Sequence, residues 1–368
     1  MQPDRAAAIE YLRRPGDVYR AGDVYYITSR EGVRYAQTHP EIFSSAKAFD
    51  GLSAMIQLIP IAVDPPDHAR YRKVLDPFFG PKRMRELEPG LRAKVRAHID
   101  AFAPTGRCDA VAELACKFPT QAILTLLGLP HADLPQFLDW VDGIFHSGTA
   151  EQANGEPNAR QVECSLALFG YLQDKIADKR AHPDDGLISR VLAITGDEAW
   201  TDEQMLGMCF VLVLGGLDTV TGAIGFCLLR LAEDPDLRRT LIADPSRIPF
   251  FVEEVLRLDG PAQMVPRMTT QDIEVAGTLI PAGMQVSLVL GTANREGPRS
   301  TNADVVDLDE RITHLAFGGG IHRCLGAHLA RTELRLMIEE FHARIPDYSL
   351  AGTPTLSWPA ASVSLETL

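Results

Sequence analysis

Apolar positions dominate residues 202–258, and the densest run, Met205 to Leu229 (MLGMCFVLVLGGLDTVTGAIGFCLL), holds a single charge, Asp218. Its length would cross a bilayer. A central Asp costs roughly 2.5–3.5 kcal/mol on insertion, no second such run exists, and the flanks Asp202-Glu203 and Arg230 are ordinary helix-end charges. The pattern therefore predicts a helix buried all round in a large core, with no membrane span. Upstream, Val24 to Thr28 reads as a strand and Arg30 to His39 as a helix stopped by Pro40. The stretch 47–63 is apolar without a clear period, as a loop lining something greasy would be. Asp64-Pro65-Pro66 supplies a cap and a proline start for a helix through about Val74, and helical patterns follow around 82–103, 109–127, 132–146 and 158–181. Between 267 and 290 the period changes to two, around Ala276-Gly277 and Pro281-Ala282-Gly283, which predicts a small antiparallel sheet. Residues 291–323 read as loop and 325–344 as a last helix. With no repeat and no Gly/Ser hinge, the expectation is one mainly α domain over residues 1–368 with a small antiparallel β region.

Composition narrows the function. Of 368 residues 46% are hydrophobic and 23% charged, near globular averages, and the net charge of −13 argues against a nucleic-acid binder. The six cysteines form no C-x-x-C, which fits reduced thiols and a cytoplasmic protein. Asp4 and Glu10 stand where a signal peptide would be apolar, so no secretory signal is expected.

The segment Phe317-Gly318-Gly319-Gly320-Ile321-His322-Arg323-Cys324-Leu325-Gly326 is a glycine-rich loop entering a helix, with a cysteine at its mouth. The glycines allow close approach of a flat partner, and the helix start supplies N–H donors and a positive dipole end that lower a thiol's pKa. A lone cysteine is more often a small buried hydrophobe. Zinc through Cys324 and His328 lacks two further ligands nearby, and no dinucleotide or P-loop glycine pattern is present.

Gly215-Gly216-Leu217-Asp218-Thr219 interrupts the apolar helix. Each interior glycine costs about 1 kcal/mol relative to alanine, and an unpaired Asp costs more, so something must offset both. The glycines leave room for close helix packing or for a small molecule, and Thr219 can bond back to the turn before it. Glu254 and Arg257 are an i, i+3 pair that alone reads as a solvated salt bridge. His68 and Arg72, at i, i+4, read alone as surface charge, and Arg267 and His322 complete a set of cations near the sheet and the cysteine.

Together, in this order, Phe317-x-x-Gly320-x-x-x-Cys324-x-Gly326, the Gly215 to Thr219 stretch and Glu254-x-x-Arg257 resemble the cytochromes P450, of the bacterial, soluble, ferredoxin-dependent type. The resemblance spans nearly the whole chain. It implies haem b with Cys324 as axial thiolate and iron ligand, Phe317, Gly318 and Gly215 beside the ring, and His68, Arg72, Arg267 and His322 on its propionates. It further implies Thr219 and Asp218 as the catalytic alcohol and acid of a proton relay, and a structural triad of Glu254, Arg257 and Arg311. Gly215 stands where many members have Ala, Val306 stands where a Phe is usual, 295–303 lacks the usual Asp-Pro-rich run, and the chain is shorter than usual by about one N-terminal segment, which fits either a more open substrate mouth or a truncated chain.

The activity so implied is a monooxygenase that inserts one atom of O2 into a hydrophobic small molecule. The sequence offers no flavin or iron–sulfur segment, so electrons would come from a ferredoxin and its reductase, docking on cations such as Arg70, Lys73, Arg323, Arg331 and Arg335. For the pocket, helical spacing from Thr219 offers Gly215, Val211, Leu212, Leu214 and Met208, and the segment before Arg267 offers Gln263, Met264 and Val265. A haem-thiolate peroxygenase or reductase, a non-catalytic haem sensor and a haem-free helical binder are the alternatives.

Overall fold

The molecule is described by a computed structural model, over residues 9, 11–13, 15–49, 56–147, 158–296, 305–309, 312–357 and 363–368. The first half of the chain contains β1 (Val18–Ala21), β2 (Val24–Ile27), α1 (Arg30–Thr38), β3 (Phe43–Ser44), α2 (Asp67–Phe79), α3 (Pro81–Phe102), α4 (Lys117–Leu127), α5 (Leu134–Phe145) and α6 (Ala159–Ala181). Next come α7 (Leu187–Leu192), α8 (Asp202–Glu233), α9 (Pro235–Ala243) and α10 (Ile248–Asp259). The remainder is β4 (Met264–Thr269), β5 (Ile273–Val275), β6 (Thr278–Ile280), β7 (Gln285–Val289), α11 (Leu290–Ala293), α12 (Ala327–Arg344), β8 (Thr355–Ser357) and β9 (Ser364–Thr367).

Helix α8 is the axis of the helical part. Thr201 opens it with a capping box, its hydroxyl accepting from the Gln204 N–H while the Gln204 side chain accepts from the Thr201 N–H. It packs on α4, α6, α10 and α12. By length and composition it could cross a membrane, but 72% of its most apolar window is buried inside the protein, as expected of a core helix. Part of the apolar 47–63 loop is described, and Ile56, Leu58, Ile59, Ala62 and Val63 join the same core. That loop lies directly on α8: a Cβ at Gly207 would stand 2.1 Å from the Gln57 carbonyl oxygen, so only glycine admits the contact.

The β region departs from the expected meander. The strand at 285–289 leaves the 267–290 segment and pairs in parallel with β2 (Val24↔Gln285) and antiparallel with β4 (Val265↔Leu288), inside a five-stranded sheet of order β1-β2-β7-β4-β3. Strands β5 and β6 form a separate hairpin, turned at Ala276 and Gly277, both left-handed. Pairing across some 260 residues leaves no local pattern, so the parallel partner was not legible. Two helix expectations also change. The 109–127 pattern breaks at a π turn, Val111–Ala115, before α4. Asp64 does not cap α2 with its side chain, and its carboxylate instead accepts from the Ser44 hydroxyl and, at 2.8 Å, from the Ser45 N–H.

Candidate functional site

The loop before α12 is held by its own backbone. The Gly318 N–H donates to Leu315 O at 2.8 Å and the Cys324 N–H to Phe317 O at 2.8 Å. Gly318 (φ +65°) and Gly320 (φ +61°) are left-handed, which favours glycine there. The triple glycine also serves an unexpected neighbour: a Cβ would stand 2.6 Å from Gln37 Oε1 at Gly319 and 1.9 Å from the Gln37 carbonyl at Gly320, so the loop is seated against α1. The Phe317 ring lies under the Arg331 guanidinium, 4.4 Å from the ring centroid.

Of the six cysteines only Cys324 is exposed, yet burial among protein atoms pushes its thiol up, against the Gly326 N–H and the cations Arg72, Arg331 and Arg323. The residue is thus accessible although protein atoms crowd it closely. The expected lowering by the helix start does not prevail, because α12 begins at Ala327, three residues on.

Two arginines and two histidines converge near the cysteine loop. The His68 and His322 rings meet edge-on, with centroids 4.4 Å apart, and the Nε2 of each is buried without a hydrogen-bond partner. Burial, and then Arg267, His68 and Arg72, push His322 down to about 3. Arg267 is 6% exposed, is lowered to about 10 by burial, and makes its hydrogen bond to Pro266 O. Arg72 reaches Asp76 (2.8 Å) and the Arg323 carbonyl (2.8 Å), tying α2 to the cysteine loop. Buried donors outnumber the anions near them. Two carboxylates on an otherwise apolar ring would match these residues, so the haem propionates fit.

Helix α8 carries the next group of candidate residues. Gly215 is exposed in the middle of a buried helix, and a Cβ on it would meet nothing within 4 Å. The Thr219 hydroxyl donates to the Gly215 carbonyl at 2.8 Å. Val211, Gly215 and Thr219, spaced i, i+4, i+8, form the accessible stripe, whereas Leu214 (8%), Leu212 and Met208 are buried. Asp218 is buried and bonded to a residue the sequence reading missed: His146 Nε2 lies 2.9 Å from its Oδ1. No local signal marks His146, which is 72 residues away in the chain.

Met264 and Val265 are half-buried on β4. Gln263 is buried, and its Oε1 has no hydrogen-bond partner. Its amide donates to Gly260 O and packs on Gly291, because the chain turns there from α10 into the sheet. Glu254 and Arg257 are buried rather than solvated, joined by two bonds of 2.9 Å, and they hold the 305–307 loop through Val305 O and the Asp307 N–H. Arg311 lies outside the described residues. Of the docking cations, Arg331 is paired with Glu253 and Arg335 with Glu88 and Glu339, while Lys73 is exposed and only 3.7 Å from Glu198. A cleft of about 870 Å³ bounded by Phe102, Cys108, Phe341, Tyr348 and Leu368 includes none of these groups.

A mainly helical fold, an accessible cysteine on a glycine loop, a cluster of basic residues beside it and a glycine-notched central helix are the features a haem-binding protein would need. The family description Cytochrome P450 matches residues 246–342. Cytochrome P450 130 of Mycobacterium tuberculosis is 34% identical over 354 residues, 92% of this chain and 85% of that one. Vitamin D(3) 25-hydroxylase of Pseudonocardia autotrophica is 36% identical over 295 residues, 79% of this chain and 71% of that one. The structure of CYP109E1 from Bacillus megaterium with testosterone superposes with a TM-score of 0.89 at 28% identity, covering 98% of this chain and 96% of that one. The chain belongs to the cytochrome P450 family. As such it is a haem monooxygenase, taking a small-molecule substrate, O2 and electrons from redox partners.

Proposed function

We propose that this chain, acting as one haem domain in the cytoplasm, hydroxylates an apolar small molecule with electrons from a ferredoxin and its reductase. The observation that carries the reading is the accessible Cys324 on its glycine loop beside the His68 and His322 ring nitrogens, which are buried without a hydrogen-bond partner.

Cys324 would be the thiolate ligand of the iron, with the Gly326 N–H and nearby arginines moderating its charge. His68, Arg72, Arg267 and His322 would hold the propionates, and Phe317, Gly318 and Gly215 would line the ring. When bound, haem supplies the reductive activation of O2, one atom entering a substrate C–H bond and the other leaving as water. Thr219 holds a hydroxyl at the accessible stripe, and Asp218 is the nearest acid in sequence able to return protons to it. Glu254 and Arg257, with Arg311 as third member, anchor the loop that leads to the cysteine.

Val211, Met264 and Val265, each half-buried, would give the pocket apolar walls that select by shape. Steroid-like molecules are the first class to screen, since one relative is named a vitamin D(3) hydroxylase and a neighbouring structure holds testosterone. No flavin or iron–sulfur cluster is assigned to this chain.

The test is the absorption spectrum of the purified protein, reduced under carbon monoxide. A strongly red-shifted Soret band, lost in Cys324→Ala, is expected. Haem-loaded protein without the band overturns the thiolate assignment and the monooxygenase chemistry with it.

A further inference from the structure

We infer that Arg331 is a positioning residue: held by Glu253, which His314 holds in turn, it is pinned on the face of Phe317 and so fixes the loop that presents Cys324. The inference rests on the thiolate reading of Cys324 given above, and it removes Arg331 from the cations free to meet a redox partner.

The guanidinium is engaged along its edges and on one face. Its Nε donates to Glu253 Oε1 at 2.6 Å and its Nη2 to Glu253 Oε2 at 2.7 Å, while Nη1 reaches the Ala327 carbonyl at 3.4 Å. The face lies over Phe317, 4.4 Å from the ring centroid. A planar cation gripped by a carboxylate is attracted by the aromatic quadrupole, and the attraction grows as water is excluded. At 28% side-chain exposure Arg331 is largely out of solvent.

His314 completes the clamp. Its side chain is 3% exposed. Its Nδ1 accepts from the Ala316 N–H at 3.2 Å, which leaves the proton on Nε2, and Nε2 donates to Glu253 Oε2 at 3.0 Å. The same ring meets Phe317, with centroids 5.8 Å apart. Phe317 is thus touched by Arg331 and by His314, and both answer to one carboxylate. Burial would raise Glu253, and the bonds from Arg331 and His314 bring it down to about 2, so the clamp keeps its charge at neutral pH.

Phe317 is where the clamp reaches the cysteine, because its carbonyl accepts the Cys324 N–H at 2.8 Å. Holding the ring still holds the peptide group that receives the cysteine. Glu253 also adjoins Glu254, whose carboxylate takes the Asp307 N–H. Successive residues of α10 therefore anchor two points of the chain that leads to Cys324. The clamp joins α10, the loop and α12 across 61 and 78 residues, which is why Arg331 reads in the sequence as one more helix cation.

The experiment follows the carbon-monoxide band of the reduced, haem-loaded protein over time, well below its melting temperature. Arg331→Lys keeps the charge but neither the two-pronged bond nor the flat face. It should lose the band about fivefold faster than the wild type, the scale of a partly desolvated cation–π contact, with no matching unfolding in tryptophan fluorescence. His314→Phe should behave likewise, and His314→Gln, which restores a donor to Glu253, should recover part of the loss. Because the clamp is one unit, the double variant Arg331→Lys with His314→Phe should lose the band no faster than the faster single variant. An unchanged rate in Arg331→Lys returns Arg331 to the docking surface, where only its charge counts. Band loss in step with unfolding, or effects that multiply in the double variant, also overturn the clamp. A wild type without the band overturns the underlying thiolate reading instead.

Discussion

Gly215 and Gly216 are neighbours in α8 that serve opposite ends: a Cβ on Gly215 meets open space, whereas one on Gly216 would stand 2.7 Å from the side chain of Ile123 on α4. One glycine opens the site and the other lets two helices close. Gly215→Ala should therefore gain about 1 kcal/mol of helix propensity, visible as a higher melting temperature. Gly216→Ala should show no gain or a loss, since overpacking of about 1–3 kcal/mol opposes the same propensity. Equal shifts in the two variants would contradict the assignment of their faces.

Thr219→Ala removes the hydroxyl from the accessible stripe without touching the core. Product formed per NAD(P)H consumed should fall several-fold, with the missing electrons recovered as hydrogen peroxide. Unchanged coupling would remove Thr219 from proton handling.

Arg267 is buried and makes its hydrogen bond to a carbonyl, with Asp64 acting on it through space but not in a salt bridge. Arg267→Leu should leave the haem-free protein as stable as before, or more so, because it relieves a buried unpaired charge. It should speed haem loss about tenfold, about 1.4 kcal/mol. The two measurements are apoprotein thermal unfolding and haem transfer to a scavenger; faster unfolding with unchanged haem retention would place Arg267 in the scaffold alone.

Burial by itself would raise Glu253, but bonds from Arg331 (2.6 and 2.7 Å) and His314 (3.0 Å) bring it down to about 2. A carboxylate lower in the folded than in the unfolded state contributes stability above its unfolded pKa and loses it as pH falls through the folded value. The window is thus about 4.5 down to 2, and the contribution is roughly 2 kcal/mol after solvent screening. Acid unfolding of Glu253→Gln should lack that part of the pH dependence; an identical acid limb would show the pair to be inert.

Lys73 is exposed, whereas Arg331 and Arg335 are committed to internal acids. Lys73→Glu and Arg323→Glu should slow reduction by an acidic ferredoxin in low salt, with the effect fading as salt rises. Arg335→Glu is the poorer test, because it breaks the tie between α12 and α3.

What the sequence determined by itself was whatever a local pattern can carry. The apolar run of α8, the cysteine loop, the E-x-x-R spacing and the proline-opened α2 each follow from residues within a few turns, and each is found in place. The tertiary structure decided which neighbour each group meets. It put Gln37 of α1 under the loop glycines, Gln57 on Gly207, β2 beside β7, and His146 on Asp218. It also turned a solvated-looking Glu254 and Arg257 into a buried pair. The reason is physical: propensity and amphipathic period act over a few residues, whereas close approach, desolvation and the pairing of buried charges depend on segments tens to hundreds of residues apart, which only packing brings together.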